Sequence, residues 1–90
     1  MNQIVIIDVR SPQEFARGHL ENAVNIPLEL ISQKLDSIEG LRKTSEILVY
    51  CQSGMRSAVA CSILSQQGFE RVSNGGSMAT LLMNFKGTVS

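Results

Sequence analysis

The chain has 90 residues, and its 43% hydrophobic and 18% charged residues are typical of one globular domain over residues 1–90. Eight basic and eight acidic side chains cancel, which argues against a nucleic-acid partner and against binding to an anionic membrane. No apolar run approaches the ~20 residues of a membrane span, and the first residues lack the features of a signal peptide. We therefore expect a cytoplasmic protein, although a periplasmic one would look the same after its signal peptide was removed.

Strands and helices are predicted to alternate along the chain. Residues 4–7 form an uninterrupted β-branched run, which is typical of a strand covered on both faces. Ser11, Pro12 and Glu14 then make the capping box of a short helix that Gly18 ends. The later pattern predicts a strand at 23–26, a helix at 28–38, a strand at 46–50, a helix at 57–67, a strand at 69–73, a turn at Gly75-Gly76 and a helix at 77–85.

This alternation predicts an α/β fold, with a small, mainly parallel sheet of about four to five strands and helices on both faces. Ligands of such sheets bind beyond the carboxyl ends of the strands. Three segments are expected at that edge: residues 8–10, the residues that follow Tyr50, and residues 73–76.

The residues that follow Tyr50 carry the chemistry. A thiol is a useful nucleophile near neutral pH only if its surroundings lower its pKa. Three features would lower the pKa of Cys51: the start of the next helix, backbone N–H groups turned inward around Gly54, and the charge of Arg56. A cysteine alone is as often a buried small residue, but this order of residues favours a nucleophile in an anion-binding loop. The Cys51 segment comprises Cys51, Gln52, Ser53, Gly54, Met55, Arg56 and Ser57.

The ordered motifs of the chain resemble those of the single-domain rhodaneses, a family of sulfurtransferases. They are most similar to the small, stand-alone bacterial members of the phage-shock type. The resemblance covers nearly the whole chain. It rests on Asp8-Val9-Arg10 with Glu14-Phe15 and Gly18-His19, on Ala23-Val24-Asn25-Ile26-Pro27, on the Cys51 segment, and on Gly68-Phe69 and Gly75-Gly76.

This resemblance implies that Cys51 takes a sulfane sulfur from thiosulfate or a persulfide and holds it as a persulfide. A thiol or a protein acceptor would then remove the sulfur, and no metal or organic cofactor would take part. Gln52, Ser53 and Met55 are neutral where the strongest thiosulfate users of the family place positive charge. Thiosulfate is therefore expected to bind weakly. We also expect a monomer.

Other candidate residues have simpler structural explanations. Asp8 and Arg10 share a strand face and could support the site, but an ion pair of Arg10 with Glu14 is the first expectation. Ser57 is expected to be the N-cap of its helix, and His19, which follows a helix-ending glycine, is not expected to act as a base. Residues expected in the core are Val59, Ala60, Cys61, Ile63 and Leu64 of one helix and Met78, Leu81, Leu82 and Phe85 of the last.

Two other functions stay open from the residues alone. A phosphatase or arsenate reductase on the same scaffold has a longer loop, with one more residue between its cysteine and arginine than the residues 52–55 found here. The Cys51 segment also lacks an acidic side chain to serve as the general acid of a phosphatase. A non-catalytic regulatory module of the rhodanese family usually lacks the loop cysteine, which is present in this chain.

Overall fold

A computed structural model describes residues 4–84 and confirms the α/β fold. The strands are β1 Ile4–Asp8, β2 Val24–Asn25, β3 Glu46–Cys51 and β4 Arg71–Ser77. The helices are α1 Pro12–Arg17, α2 Met55–Gln66 and α3 Met78–Asn84, with short 3₁₀ helices at Leu28–Leu30 and Leu35–Ser37. All four strands are parallel and lie in the order β2-β1-β3-β4. None of the described helices has the length and apolar character that crossing a membrane requires.

The sheet is covered on both faces, because successive side chains of a strand point to opposite sides. On β3, Val49 packs in one cluster with Leu64 of α2, whereas Tyr50 packs in another with Leu81 of α3. The predicted arrangement of helices on both faces is thus confirmed. Partly buried residues around the second cluster are Ala23, Leu48, Met78 and Leu82, while Phe85 lies outside the described residues.

The predicted start and end of α1 are confirmed. The Ser11 hydroxyl accepts from the Glu14 N–H, and the Glu14 carboxylate accepts from the Ser11 N–H. Gly18 ends the helix, and its own N–H donates to the carbonyl of Phe15. This capping box fixes the position of the Glu14 carboxylate, which becomes important at the candidate site.

The single helix predicted over residues 28–38 is wrong, because the chain forms two 3₁₀ turns there instead. The Ile31 N–H donates to Leu28 and the Ile38 N–H to Leu35, which are contacts of the tighter 3₁₀ type. No side chain caps either turn, and a short uncapped helix depends on its packing. The two turns bury Ile31 and Leu35 in the cluster that faces α2, so the apolar spacing is satisfied without a continuous helix.

The helix α2 begins at Met55, two residues before the predicted start, and its buried stripe differs from the prediction. Ala60 and Leu64 are buried as predicted, and Ile63 is partly buried. Val59 is half exposed, so its assignment to the core is wrong. The narrow buried stripe runs through Ser57 instead, at helical spacing from Ala60 and Leu64.

The turn predicted at Gly75-Gly76 is also wrong, because β4 continues through both glycines to Ser77. Val49 pairs with Asn74 and Tyr50 with Gly76, which leaves Gly75 as the extra residue of a β-bulge. A Cβ atom on Gly75 would lie 3.0 Å from a Leu81 methyl group. The glycine therefore allows α3 to pack closely on the bulged strand.

Candidate active site

The carboxyl ends of three strands bring the predicted segments together. β1 ends at Asp8 and β3 at Cys51, and their register pairs Asp8 with Tyr50. On the other side of β3, Cys51 pairs with Ser77 of β4. All three segments that were expected at this edge of the sheet are found there.

Cys51 is a completely buried residue at the junction of β3 and α2. The Gly54 N–H donates to its sulfur at 2.9 Å, and the Ser57 N–H donates at 3.4 Å. The Ser57 hydroxyl oxygen lies 3.5 Å from the same sulfur. Because these groups belong to the start of α2, the positive end of its helix dipole also favours negative charge here.

Two opposing effects set the pKa of the Cys51 thiol. Burial raises it, because a thiolate is harder to form away from water. The Ser57 hydroxyl and the N–H groups of Ser57, Ser53 and Gly54 lower it by hydrogen bonding to the thiolate. The hydrogen bonds together outweigh burial, and the pKa of Cys51 lies below its ordinary value. The thiolate, which is the nucleophilic form, therefore forms more readily here than in an ordinary cysteine.

Gly54 gives the Cys51 segment its shape. Its φ of 92° lies in the left-handed region, and it is the N-cap of α2. A Cβ atom at this position would lie 3.3 Å from the Cα of Gly76, on the bulge of β4. The prediction that a glycine conformation is needed here is confirmed, and the close approach to β4 adds a second reason for it.

Ser57 is not the N-cap that the sequence predicted, because it is the third residue of α2. Its single hydroxyl hydrogen has two acceptors within reach, the Oδ1 of Asn74 at 2.6 Å and the carbonyl of Gly54 at 3.1 Å. Asn74 also accepts from the Gly76 N–H at 2.9 Å and donates to the Gly54 carbonyl at 3.3 Å. Asn74 therefore ties β4 to the Cys51 segment.

Sequence reasoning placed residues 73–76 at the correct edge but did not single out Asn74. The available signal was an amide side chain directly before Gly75-Gly76, at the end of a strand next to the one that carries Cys51. Such a side chain both donates and accepts hydrogen bonds. It is suited to joining two backbone segments.

Arg56 was expected to offer its guanidinium to an anion, but Glu14 of α1 occupies it. Nη1 donates to Oε1 at 2.8 Å and Nη2 to Oε2 at 3.0 Å, so the contact is bidentate. The expected pairing of Glu14 with Arg10 is wrong for this reason. Arg56, and next the Ser11 N–H, lower the pKa of Glu14 to about 2, so the carboxylate is ionised at neutral pH.

Arg10 pairs with Asp8 instead, and both side chains are buried. Its Nη2 donates to Asp8 Oδ2 at 2.7 Å and to the carbonyl of Gly18 at the same distance, while its Nε donates to both oxygens of Asp8. The guanidinium also lies 5.7 Å from the centre of the Tyr50 ring. This pair joins the end of β1 to the end of α1, beside the strand that carries Cys51.

The remaining side chains of the Cys51 segment, those of Gln52, Ser53 and Met55, are exposed. Met55 is 76% exposed. These residues form the outer rim of the segment and bring no charge to it. Among residues 4–84, no group of three or more His, Cys, Asp or Glu side chains is arranged to hold a metal ion.

His19 and Cys61 make packing contacts that are typical of residues with a structural role. The His19 ring stacks on Phe15 with a centroid distance of 3.6 Å, and its Nδ1 lies 2.8 Å from the Phe15 carbonyl oxygen. Cys61 is partly buried against the cluster that contains Leu64, and burial raises the pKa of its thiol. The pKa values of the two cysteines are therefore shifted in opposite directions, down for Cys51 and up for Cys61.

The chain is similar to known proteins in both sequence and structure. A sequence profile of the Rhodanese-like domain matches residues 1–79. A sulfurtransferase of Allochromatium vinosum is 38% identical over 78 residues, covering 84% of this chain and 70% of that protein. The thiosulfate sulfurtransferase PspE of Escherichia coli is 34% identical over 77 residues, covering 86% of this chain and 73% of that protein.

Solved structures give the same result. A rhodanese with anions from E. coli superposes with a TM-score of 0.81 at 32% identity, covering 87% of this chain and 91% of that one. The rhodanese-like domain of the Anabaena protein Alr3790 has a TM-score of 0.83 at 28% identity, covering 100% of this chain and 83% of that one. The chain belongs to the rhodanese-like domain family.

Proposed function

We propose that the chain is a sulfurtransferase in which Cys51 carries a sulfane sulfur, as a persulfide, from a donor to a thiophilic acceptor. One observation carries the proposal: the N–H groups of Gly54 and Ser57 converge on the Cys51 sulfur at the start of α2. Such donors stabilise the thiolate before transfer and the persulfide anion after it. The names of the sulfurtransferase relatives from A. vinosum and E. coli support the same chemistry.

The reaction consists of two displacements. With thiosulfate, the Cys51 thiolate attacks the outer sulfur, the S–S bond breaks, and sulfite leaves with the bonding electrons. A thiolate on a small molecule or protein then attacks the outer sulfur of the Cys51 persulfide, which releases the Cys51 thiolate again. Charge and electrons balance in each half, so the transfer needs no external oxidant or reductant. This is covalent catalysis by a carrier cysteine.

The other residues have supporting roles in this proposal. Residues 52–57 border the donor, with their backbone N–H groups facing its charge. The buried pair of Asp8 and Arg10 supports the site by joining the end of β1, which pairs with β3, to the end of α1. The acceptor is a thiol, on either a small molecule or a protein.

Steady-state release of sulfite from thiosulfate, with cyanide as the acceptor, tests this function. The two-displacement mechanism predicts parallel lines in double-reciprocal plots against the two substrates. Cys51→Ala should abolish turnover, whereas Cys61→Ala serves as the matched cysteine control and should retain it. Turnover that survives in Cys51→Ala would refute the proposal.

The phosphatase alternative is tested with the same proteins. The chain should not hydrolyse an aryl phosphate, because the Cys51 segment has no acidic side chain to protonate the leaving group. Hydrolysis that is present in the original protein and lost in Cys51→Ser would favour the phosphatase function instead.

A further inference from the structure

The Arg56–Glu14 pair changes the charge that a sulfur donor meets. Arg56 is the only charged side chain of the Cys51 segment. Both of its terminal nitrogens are bound by the two oxygens of Glu14, at 2.8 Å and 3.0 Å. The cation next to the site is therefore paired with an anion, and its planar donor fork is already engaged.

Glu14 is held in this position by its own helix. Its Oε1 accepts from the Ser11 N–H at 2.9 Å as well as from Arg56. Because the capping box of α1 fixes the carboxylate, the pair has a lower entropic cost than two free surface side chains. The Glu14 side chain is 28% exposed and that of Arg56 is 39% exposed, so the pair lies at the protein surface without being fully solvated.

The buried cation at the end of β1 does not replace Arg56. Arg10 is bound to Asp8, and that buried pair is also neutral as a whole. What remains for an anion is a set of partial charges: the N–H groups of Gly54 and Ser57 and the start of α2. Such a set suits one negative charge better than two.

We propose that Glu14 is a specificity-determining residue, which holds Arg56 and thereby selects against doubly charged sulfur donors in favour of donors with one negative charge or none. Persulfides of small thiols belong to the favoured class, and thiosulfate belongs to the disfavoured one. The inference rests on the proposed sulfur transfer and adds the class of donor to it.

Sulfur transfer from a persulfide to Cys51 conserves both atoms and charge. The Cys51 thiolate attacks the outer sulfur of a persulfide R–S–SH, and the S–S bond breaks. The thiolate RS⁻ leaves with the bonding electrons, and Cys51 carries the outer sulfur with its hydrogen. One negative charge is present before and after the step.

Two donors that differ by one charge provide the test. Thiosulfate carries two negative charges, and methanethiosulfonate carries one and releases methanesulfinate when its outer sulfur is transferred. The variant Glu14→Gln removes the carboxylate charge but keeps an oxygen that accepts from the Ser11 N–H. Sulfur loading of Cys51 is followed by intact mass over time with each donor.

The expected result is a change in the ratio of the loading rate constants for the two donors. Glu14→Gln should raise the loading rate constant for thiosulfate about fivefold and that for methanethiosulfonate about twofold, because freeing one cation acts on each donor charge. The gain for thiosulfate should shrink in high salt, which screens the freed Arg56. Ser11→Ala weakens the helix cap but keeps the carboxylate charge, and it should leave the ratio unchanged.

The outcomes separate this inference from the function on which it rests. An unchanged ratio in Glu14→Gln, or a slower reaction with thiosulfate, would overturn the role of Glu14 while leaving sulfur transfer intact. A ratio that changes equally in Ser11→Ala would overturn it too, since loosening of α1 would then be the cause. If the original protein gains sulfur from neither donor, the proposed function fails and this inference fails with it.

Discussion

The Cys51 sulfur competes with other acceptors for the single hydroxyl hydrogen of Ser57. The Ser57 hydroxyl has a single hydrogen, and Asn74 Oδ1 at 2.6 Å is a closer acceptor than the Cys51 sulfur at 3.5 Å. Hydrogen bonding from this hydroxyl lowers the pKa of Cys51. The Gly54 carbonyl at 3.1 Å is a further acceptor of the same hydrogen. The sharing of that hydrogen among Asn74, the Gly54 carbonyl and the sulfur should therefore regulate how readily the thiolate forms.

Removing the Ser57 hydroxyl or the Asn74 amide tests this competition. The rate of Cys51 alkylation by iodoacetamide rises with pH and reaches half its maximum at the pKa of the thiol. Ser57→Ala removes a donor to the thiolate, so this midpoint should move to higher pH. Asn74→Ala removes the shortest acceptor of that hydrogen and leaves the Gly54 carbonyl in competition with the sulfur, so the midpoint should move to lower pH. Shifts of the same sign in both variants would contradict the shared hydrogen.

The Cys51 segment and β4 depend on each other for their shape. Gly54 has a left-handed backbone, and its α-carbon approaches the bulge of β4 so closely that an added Cβ would lie 3.3 Å from Gly76. Asn74 reinforces the same junction through the Gly54 carbonyl. A change in the bulge should therefore alter the backbone geometry around the Cys51 sulfur.

Alanine substitutions at two left-handed glycines separate backbone strain from this close contact. Gly40 has a φ of 80°, and no atom lies within 4 Å of an added Cβ. Gly40→Ala should lower the free energy of unfolding by about 1 kcal/mol through strain alone. Gly54→Ala should lower it by roughly 2 kcal/mol or more and slow sulfur loading, because backbone must move. Equal losses in urea denaturation would show that the contact with Gly76 is unimportant.

The elements with strong local signals were predictable from the sequence. The Ser11 capping box marked α1, and the apolar runs before Asp8 and Cys51 marked the two central strands. Residues 28–38 misled the prediction, because apolar spacing alone does not distinguish one helix from two 3₁₀ turns.

The candidate site was predictable to the level of its segment, since Cys51 and Gly54 have the surroundings that were expected. Two of its contacts were not predictable. Glu14 and Arg56 are 42 residues apart, and nothing local to either one indicates the other. The role of Asn74 depends on a β-bulge in a segment that was expected to turn. Both contacts arise from tertiary packing, which residue patterns do not specify.

At the scale of the whole molecule, the buried end of β1 connects the sheet to α1. The buried Asp8–Arg10 pair lies at this end of the strand, and Arg10 also donates to the Gly18 carbonyl at the end of α1. Removing one partner of a buried pair leaves the other charge buried without an opposite charge, which is costly. The pair should therefore contribute to global stability more than to catalysis.

Arg10→Gln tests this role against an exposed pair of the same type. It should lower the free energy of unfolding by about 3 kcal/mol or more, because Asp8 becomes a buried uncompensated charge. Arg71 pairs with Glu46 at 3.3 Å with both side chains exposed, so Arg71→Gln should cost less than about 1 kcal/mol. Urea denaturation measures both. Similar losses in the two variants would contradict a special role of the buried pair.

The central claim is that Cys51 carries sulfur as a persulfide, and the mass of the intact protein tests it most directly. After incubation with excess thiosulfate or methanethiosulfonate and removal of the donor, the original protein and Cys61→Ala should each gain the mass of one sulfur atom. Cys51→Ala should gain none, and a thiol acceptor should return the loaded protein to its starting mass. An original protein that never gains this mass, or a Cys51→Ala variant that does, would contradict the account.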